Sequence, residues 1–98
     1  MNVSVSKEGN TCTLIVSDRI DTLTAPELDS IFRENADGCD KMIFDLSGVD
    51  YISSAGLRVL VSSHRIMDSK GGLELRGVRS EVLSILKMTG LDNKLNIS

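Results

Sequence analysis

A small α/β domain with a mixed sheet is the fold class this sequence predicts, and three observations predict it. Two alternating apolar segments separated by turn residues open the chain. A helix with a clear start signal follows them. An apolar run, Met42-Ile43-Phe44, then leads through a Ser- and Gly-containing join into the longest helical pattern of the chain. Strands that alternate with helices point to parallel βαβ units with right-handed crossovers, here added to an N-terminal antiparallel hairpin, with three helices in all. The 98 residues make a single domain spanning 1–98.

Val3 and Val5 alternate with Asn2, Ser4 and Ser6, and Cys12, Leu14 and Val16 form a second alternation after Glu8-Gly9-Asn10. These are the two strands of the hairpin. Asp18 to Leu23 is a loop. Thr24 with Glu27 three residues on reads as a capping box, Pro26 is tolerated in the first turn, and Leu28, Ile31, Phe32 and Ala36 share one helix face that Gly38 ends. Lys41 to Leu46 is the third strand, apolar enough at Met42-Ile43-Phe44 to suggest cover on both faces.

The next helix runs from about Ala55 to Ser69, with Ser54 as its better cap and Gly71-Gly72 as its stop. Leu73 and Leu75 alternate in a fourth strand, Ser80 caps a last helix carrying Val82, Ile85 and Leu86, and Gly90 closes it. Leu95 and Ile97 add a short terminal strand.

Composition excludes several functions. A net charge of -3 with no basic run gives no electrostatic support for nucleic-acid binding. No apolar run reaches membrane-spanning length, and Met-Asn-Val-Ser-Val-Ser-Lys has no signal-peptide pattern, so a cytoplasmic protein without a membrane partner is expected. Cys12 and Cys39 have only His64 for company and lack four-ligand metal spacing; both are expected to be reduced thiols, Cys12 in the core and Cys39 in a loop. No metal or other cofactor is implied.

The topology itself places function. If the second, third and fourth strands are parallel, their C-terminal ends emerge at one edge of the sheet. That edge gathers Asp18 and Asp21, then Asp50, Ser53 and Ser54, then Arg76 to Ser80. Ligands and partners of open α/β sheets dock at such an edge. Projecting the long helix at about 100° per residue puts Arg58, Ser62, Arg65 and Ser69 on one stripe and Leu57, Leu60, Val61 and Met67 on the opposing arc, with His64 inside that arc and Ser63 at its margin.

At the join between strand and helix the residues Asp45-Leu46-Ser47-Gly48-Val49, then Ile52-Ser53-Ser54-Ala55-Gly56-Leu57, resemble the signature of STAS domains of the anti-sigma-factor antagonist family. Ile20-Asp21-Thr22 with Thr24-Ala25-Pro26-Glu27-Leu28, and Met88-Thr89-Gly90-Leu91, resemble its other landmarks in the right order. The resemblance implies the STAS fold and a non-enzymatic switch. Its unmodified form would bind an anti-sigma factor that is also an ATPase-type protein serine kinase, freeing a sigma factor. The kinase would phosphorylate the serine two residues before Gly56, which is Ser54, and a PP2C-type phosphatase would restore it. Ser53 stands where one common form of the motif has Asp.

Each candidate residue also has a structural reading. Capping alone would explain Ser53 and Ser54, and it is the resemblance that turns them toward regulation. Asp21 either orders the turn before Thr24 or, as the resemblance implies, lies beside the regulated serine on a partner-binding surface with Thr22, Ser53, Ser54, Ala55, Gly56 and Arg58. Gly56 is expected on the exposed first turn. Arg58 is expected to touch the partner, Arg65 and Ser69 to be either solvated or partner-facing, Asp45 to hold loop N–H groups, and His64 to be a satisfied core or boundary residue.

An enzyme using Ser54 as nucleophile is the poorer reading. His64 lies ten residues on, about 15 Å along the helix, and there is neither a G-x-S-x-G elbow nor a nucleotide-binding G-x-x-x-x-G-K-[ST] motif. The remaining alternative is a constitutive STAS scaffold subunit of a transporter or signalling complex.

Overall fold

Alternation in the strands and periodicity in the helices resolve into a five-stranded sheet with three helices in the computed structural model, which describes residues 2–98. The order along the chain is β1 (Asn2–Glu8), β2 (Thr11–Ser17), α1 (Ala25–Ala36), β3 (Lys41–Gly48), α2 (Ser54–Asp68), β4 (Leu73–Arg76), α3 (Ser80–Met88), a 3-10 turn (Leu91–Asn93) and β5 (Asn96–Ile97). The sheet order is β1-β2-β3-β4-β5, with β1 antiparallel to β2 and every later pair parallel.

Because β2 to β5 progress in one direction, right-handed crossovers put all three helices on one face of the sheet. That face carries Cys12, Leu14 and Val16 of β2, Met42, Phe44 and Leu46 of β3, and Leu73 and Leu75 of β4, all buried. The helices answer with Leu28 and Phe32 of α1, Leu60 and Met67 of α2, and Val82 and Leu86 of α3. Phe32 meets Phe44 edge to face, with ring centroids 5.8 Å apart, the arrangement that ring quadrupoles favour.

The run Met42-Ile43-Phe44 is buried on both faces of β3, as expected, but only one of those faces is covered by helices. Ile43 sits on the open face, between Thr13 of β2 and Glu74 of β4 in register. It is nonetheless buried, because long neighbours on the pleat cover it: Lys41 and Arg76 both reach Glu74, at 3.6 and 2.8 Å.

Three helix starts differ from the sequence expectation. Thr24 makes no capping bond; its hydroxyl accepts the Asp21 N–H at 2.8 Å instead. Asp21 Oδ1 accepts the backbone N–H groups of Leu23 and Thr24, both at 2.9 Å, and so organises the turn before α1. The cap of α2 is Ser53, whose extended backbone lets Oγ accept the Gly56 N–H at 3.3 Å, and Ser54 is the first helical residue. The cap of α3 is Arg79, with Ser80 inside the helix. At the other end of α3, Gly90 adopts the left-handed conformation that stops a helix, φ 75°.

The cysteines are not free thiols. Cys12 and Cys39 form a disulfide, with Cα atoms 5.9 Å apart. The parallel pairing of β2 with β3 sets Cys12 opposite Met42, and Cys39, buried in the turn just before β3, is thereby brought onto it. Sequence spacing hid this because the two residues are 27 positions apart.

Candidate functional site

The β2–α1 and β3–α2 loops are stitched together at the C-terminal edge of the sheet. Ile20 and Ile52 form an isolated parallel bridge, in which the Ile20 N–H donates to Tyr51 O at 2.9 Å and the Ser53 N–H donates to Ile20 O at 2.8 Å. Asp18 enters this loop with φ 80°, a left-handed conformation that Asp tolerates better than most residues; its carboxylate accepts the Arg19 N–H at 2.9 Å. The Arg19 guanidinium lies 5.0 Å from the centre of the Tyr51 ring and 3.4 Å from Asp21 Oδ2, a further tie between the two loops.

These ties set Asp21 beside Ser53 and the start of α2. The backbone N–H of Thr24, against the opposing effect of burial and with help from the Leu23 N–H, the Thr24 hydroxyl and Arg19, holds the Asp21 carboxyl below its ordinary range, so it stays charged. Thr22 is exposed at the tip of the loop and Ala55 is half-buried. Asp45 is structural as expected: its Oδ1 accepts both the N–H and the hydroxyl of Ser47, at 3.0 and 2.7 Å. The Arg76–Ser80 segment, which the topology also brings to this edge, lies by Ser47: a Cβ on Gly77 would stand 3.0 Å from the Cβ of Ser47.

The two serines separate by role. Ser53 is half-buried and engaged as the cap, while Ser54 is exposed on the first turn, its hydroxyl making no hydrogen bond among the described residues. Gly56, expected to be exposed, is buried. A Cβ there would stand 2.7 Å from Ile20 Cγ2 and 2.7 Å from Ile52 Cγ1, so this glycine lets α2 close onto the loop bridge instead of offering space to a partner.

The buried face of α2 is Gly56, Val59, Leu60, Ser63 and Met67. It is rotated from the expected arc, which leaves Leu57 and Val61 half-exposed and puts Ser63 in the core. Neither the Ser63 hydroxyl nor His64 Nδ1 has a hydrogen-bond partner among the described residues, so His64 is not the satisfied residue expected. Leu57, Arg58, Val61, Ser62 and Arg65 line a groove of about 380 Å³ whose other wall includes Leu91. On the helical wheel Ser54 falls on the same stripe, one turn before Arg58. Sequence reasoning places Ser54 and Arg58 on a partner surface and leaves Arg65 between solvent and partner, and it misses the groove, since the groove's second wall comes from the turn after α3.

Among the described residues no group of three or more His, Cys, Asp or Glu side chains could hold a metal ion, and no helix is long and apolar enough to cross a membrane. The arrangement is a convex, hydroxyl-bearing helix start beside a charged loop, continuing into a shallow groove.

Comparison with known proteins gives relatives of the whole domain. The anti-sigma-B factor antagonist of Bacillus subtilis (strain 168) is 29% identical over 100 aligned residues, covering 100% of this chain and 91% of that protein. The crystal structure of an anti-sigma factor antagonist from Mycobacterium paratuberculosis superposes with a TM-score of 0.87 at 25% identity, covering 98% of this chain and 83% of that one. The phosphorylated form of the Bacillus cell fate determinant SpoIIAA shares the fold at 10% identity, with a TM-score of 0.75 and coverage of 99% and 91%. The STAS domain family matches residues 2–98, so the chain belongs to the STAS domain family, and within it the chain is similar to anti-sigma factor antagonists.

Proposed function

We propose that this chain is a phosphorylation-controlled partner-switching protein of the cytoplasm. In its unmodified form it binds an anti-sigma factor that is also an ATPase-type serine kinase, and so releases a sigma factor. The kinase inactivates it by phosphorylating Ser54, and a PP2C-type phosphatase restores it. The docking surface comprises Asp21, Thr22, Ser53, Ser54, Ala55 and Arg58. Gly56 belongs to it only as the close contact that holds the two loops together.

The observation that carries this reading is the division of labour between the two serines. Ser53 is occupied as the α2 cap, and Ser54 is exposed with a hydroxyl that bonds to none of the described residues. A phosphate there adds about -1.5 to -2 charges. At a helix N-terminus that charge is electrostatically favourable, so the fold persists and the partner feels the change. Arg58, four residues on, is within reach of the phosphate on the same face. The nearby Asp21 carboxylate stays ionised, which fixes the charge of the surface that the partner meets.

The test is to incubate the protein with its anti-sigma partner and ATP, and to locate the modification by peptide fragmentation. One phosphate on Ser54 is expected. Ser54→Ala should accept none while still binding the partner. Phosphate on Ser53, or on neither serine, contradicts the assignment.

A further inference from the structure

Four of the six arginines hold a carboxylate at the surface: Arg19 with Asp21, Arg33 with Asp29, Arg76 with Glu74, and Arg79 with Glu81. Arg58 and Arg65 hold none among the described residues, although the chain carries an excess of acidic groups. Both line the groove beside α2, and the surface between and across from them is mainly apolar, supplied by Leu57, Val61 and Leu91 with the single hydroxyl of Ser62. The two arginines are seven residues apart, two turns of one helix, or about 10.5 Å along its axis.

We infer that this groove seats an amphipathic helix of the partner. That helix carries carboxylates at i and i+7, which meet Arg58 and Arg65, and aliphatic side chains at i+3 and i+4, which meet Leu57, Val61 and Leu91. Identification of the partner as the anti-sigma factor rests on the reading above; the seat itself does not.

The spacing selects a helix. Residues i and i+7 of a helix lie within about 20° of one face and match two turns of α2. An extended segment covers the same distance in about three residues, and i and i+3 of a strand point to opposite sides. A fatty carboxylate has one anionic head for two cations. A second copy docked symmetrically would set one arginine stripe against another, where like charges repel. The groove also explains how Ser54 governs docking. A phosphate one turn before Arg58 draws that guanidinium into an internal ion pair and away from the partner's first carboxylate.

The probe is a stapled helical peptide with Glu at i and i+7 and Leu at i+3 and i+4, titrated into the isotopically labelled full chain and followed by amide chemical shifts. Expected are shifts clustered at Leu57, Arg58, Val61, Arg65 and Leu91, and affinity at least about tenfold weaker when both Glu are replaced by Gln. The double variant Arg58→Glu/Arg65→Glu, altered only at exposed positions, should keep its circular dichroism and prefer a Lys-bearing version of the peptide.

Absent or dispersed shifts, equal affinity for the Glu and Gln peptides, tighter occupancy of the same residues by sodium laurate, or dimerisation that shifts these amides without peptide would each overturn the inference. Because no kinase is involved, failure here leaves the Ser54 reading standing, and failure of Ser54 phosphorylation leaves the seat standing.

Discussion

Gly56→Ala adds one methyl group at the point where α2 closes onto the loop bridge, and its cost can be worked from the contacts. The new Cβ would lie 2.7 Å from Ile20 Cγ2 and 2.7 Å from Ile52 Cγ1. Carbon atoms prefer about 3.5–4.0 Å, so both isoleucines or the helix must move by about 1 Å. Overpacking of this kind costs about 1–3 kcal/mol. Replacing Gly by Ala inside a helix returns about 0.8–1 kcal/mol. The net expectation is a loss of up to about 2 kcal/mol for Ala, and about 3 kcal/mol or more for Val, whose extra methyls meet the same wall. For a domain of this size the Ala variant should melt lower, by up to about 10 °C. Urea and thermal denaturation followed by circular dichroism measure both variants. Since Ile20 and Ile52 form the bridge that places Asp21 beside Ser53, partner binding should weaken in parallel with stability. An Ala variant more stable than the parent by about 0.8–1 kcal/mol would mean that the helix gain is unopposed and that the close packing of Gly56 is not a feature of the protein in solution.

Ser53→Ala should cost about 1 kcal/mol through loss of the α2 cap, whereas Ser54→Ala should change the urea midpoint little; equal costs would contradict the division of roles between them. Ser63→Ala should stabilise by about 1 kcal/mol, because it removes a fully buried hydroxyl with no partner among the described residues and improves helix propensity; destabilisation would reveal a bond to the hydroxyl that the packing does not predict. Reducing the Cys12–Cys39 disulfide, which spans 27 residues, should lower the unfolding free energy by about 3–4 kcal/mol from loop entropy, measured as the difference between denaturation midpoints with and without dithiothreitol; coincident curves would contradict it.

Most of the fold is legible in the sequence because its signals are local. The alternations of Val3–Val5 and Cys12–Val16, the turn residues Gly9 and Gly90, and the crossover logic lead to the hairpin and the parallel order of the later strands, as observed. What escapes depends on neighbours distant in sequence. Ser53 and Ser54 are equally good caps by residue type, and which one caps is decided by the bridge from Ser53 N–H to Ile20 O, which fixes the extended backbone of Ser53. Gly56 looks exposed on an isolated helix and becomes buried only when the β2–α1 loop folds against it. The helical wheel is correct in period but not in phase, since packing against the sheet and α1 turns Ser63 inward and Leu57 and Val61 toward the groove. The Cys12–Cys39 pair follows from strand register, which no spacing rule encodes.

The most direct measurement of the central claim compares the affinity of the anti-sigma partner for two forms of this chain by titration calorimetry: the unmodified protein, and protein carrying phosphoserine at position 54 by genetic incorporation. The two forms should give superimposable circular dichroism spectra, because the helix N-terminus accommodates the charge. The phosphorylated form should bind at least about tenfold more weakly. Equal affinity of the two forms, with the fold intact in both, would contradict phosphorylation control and move the chain to the constitutive scaffold reading.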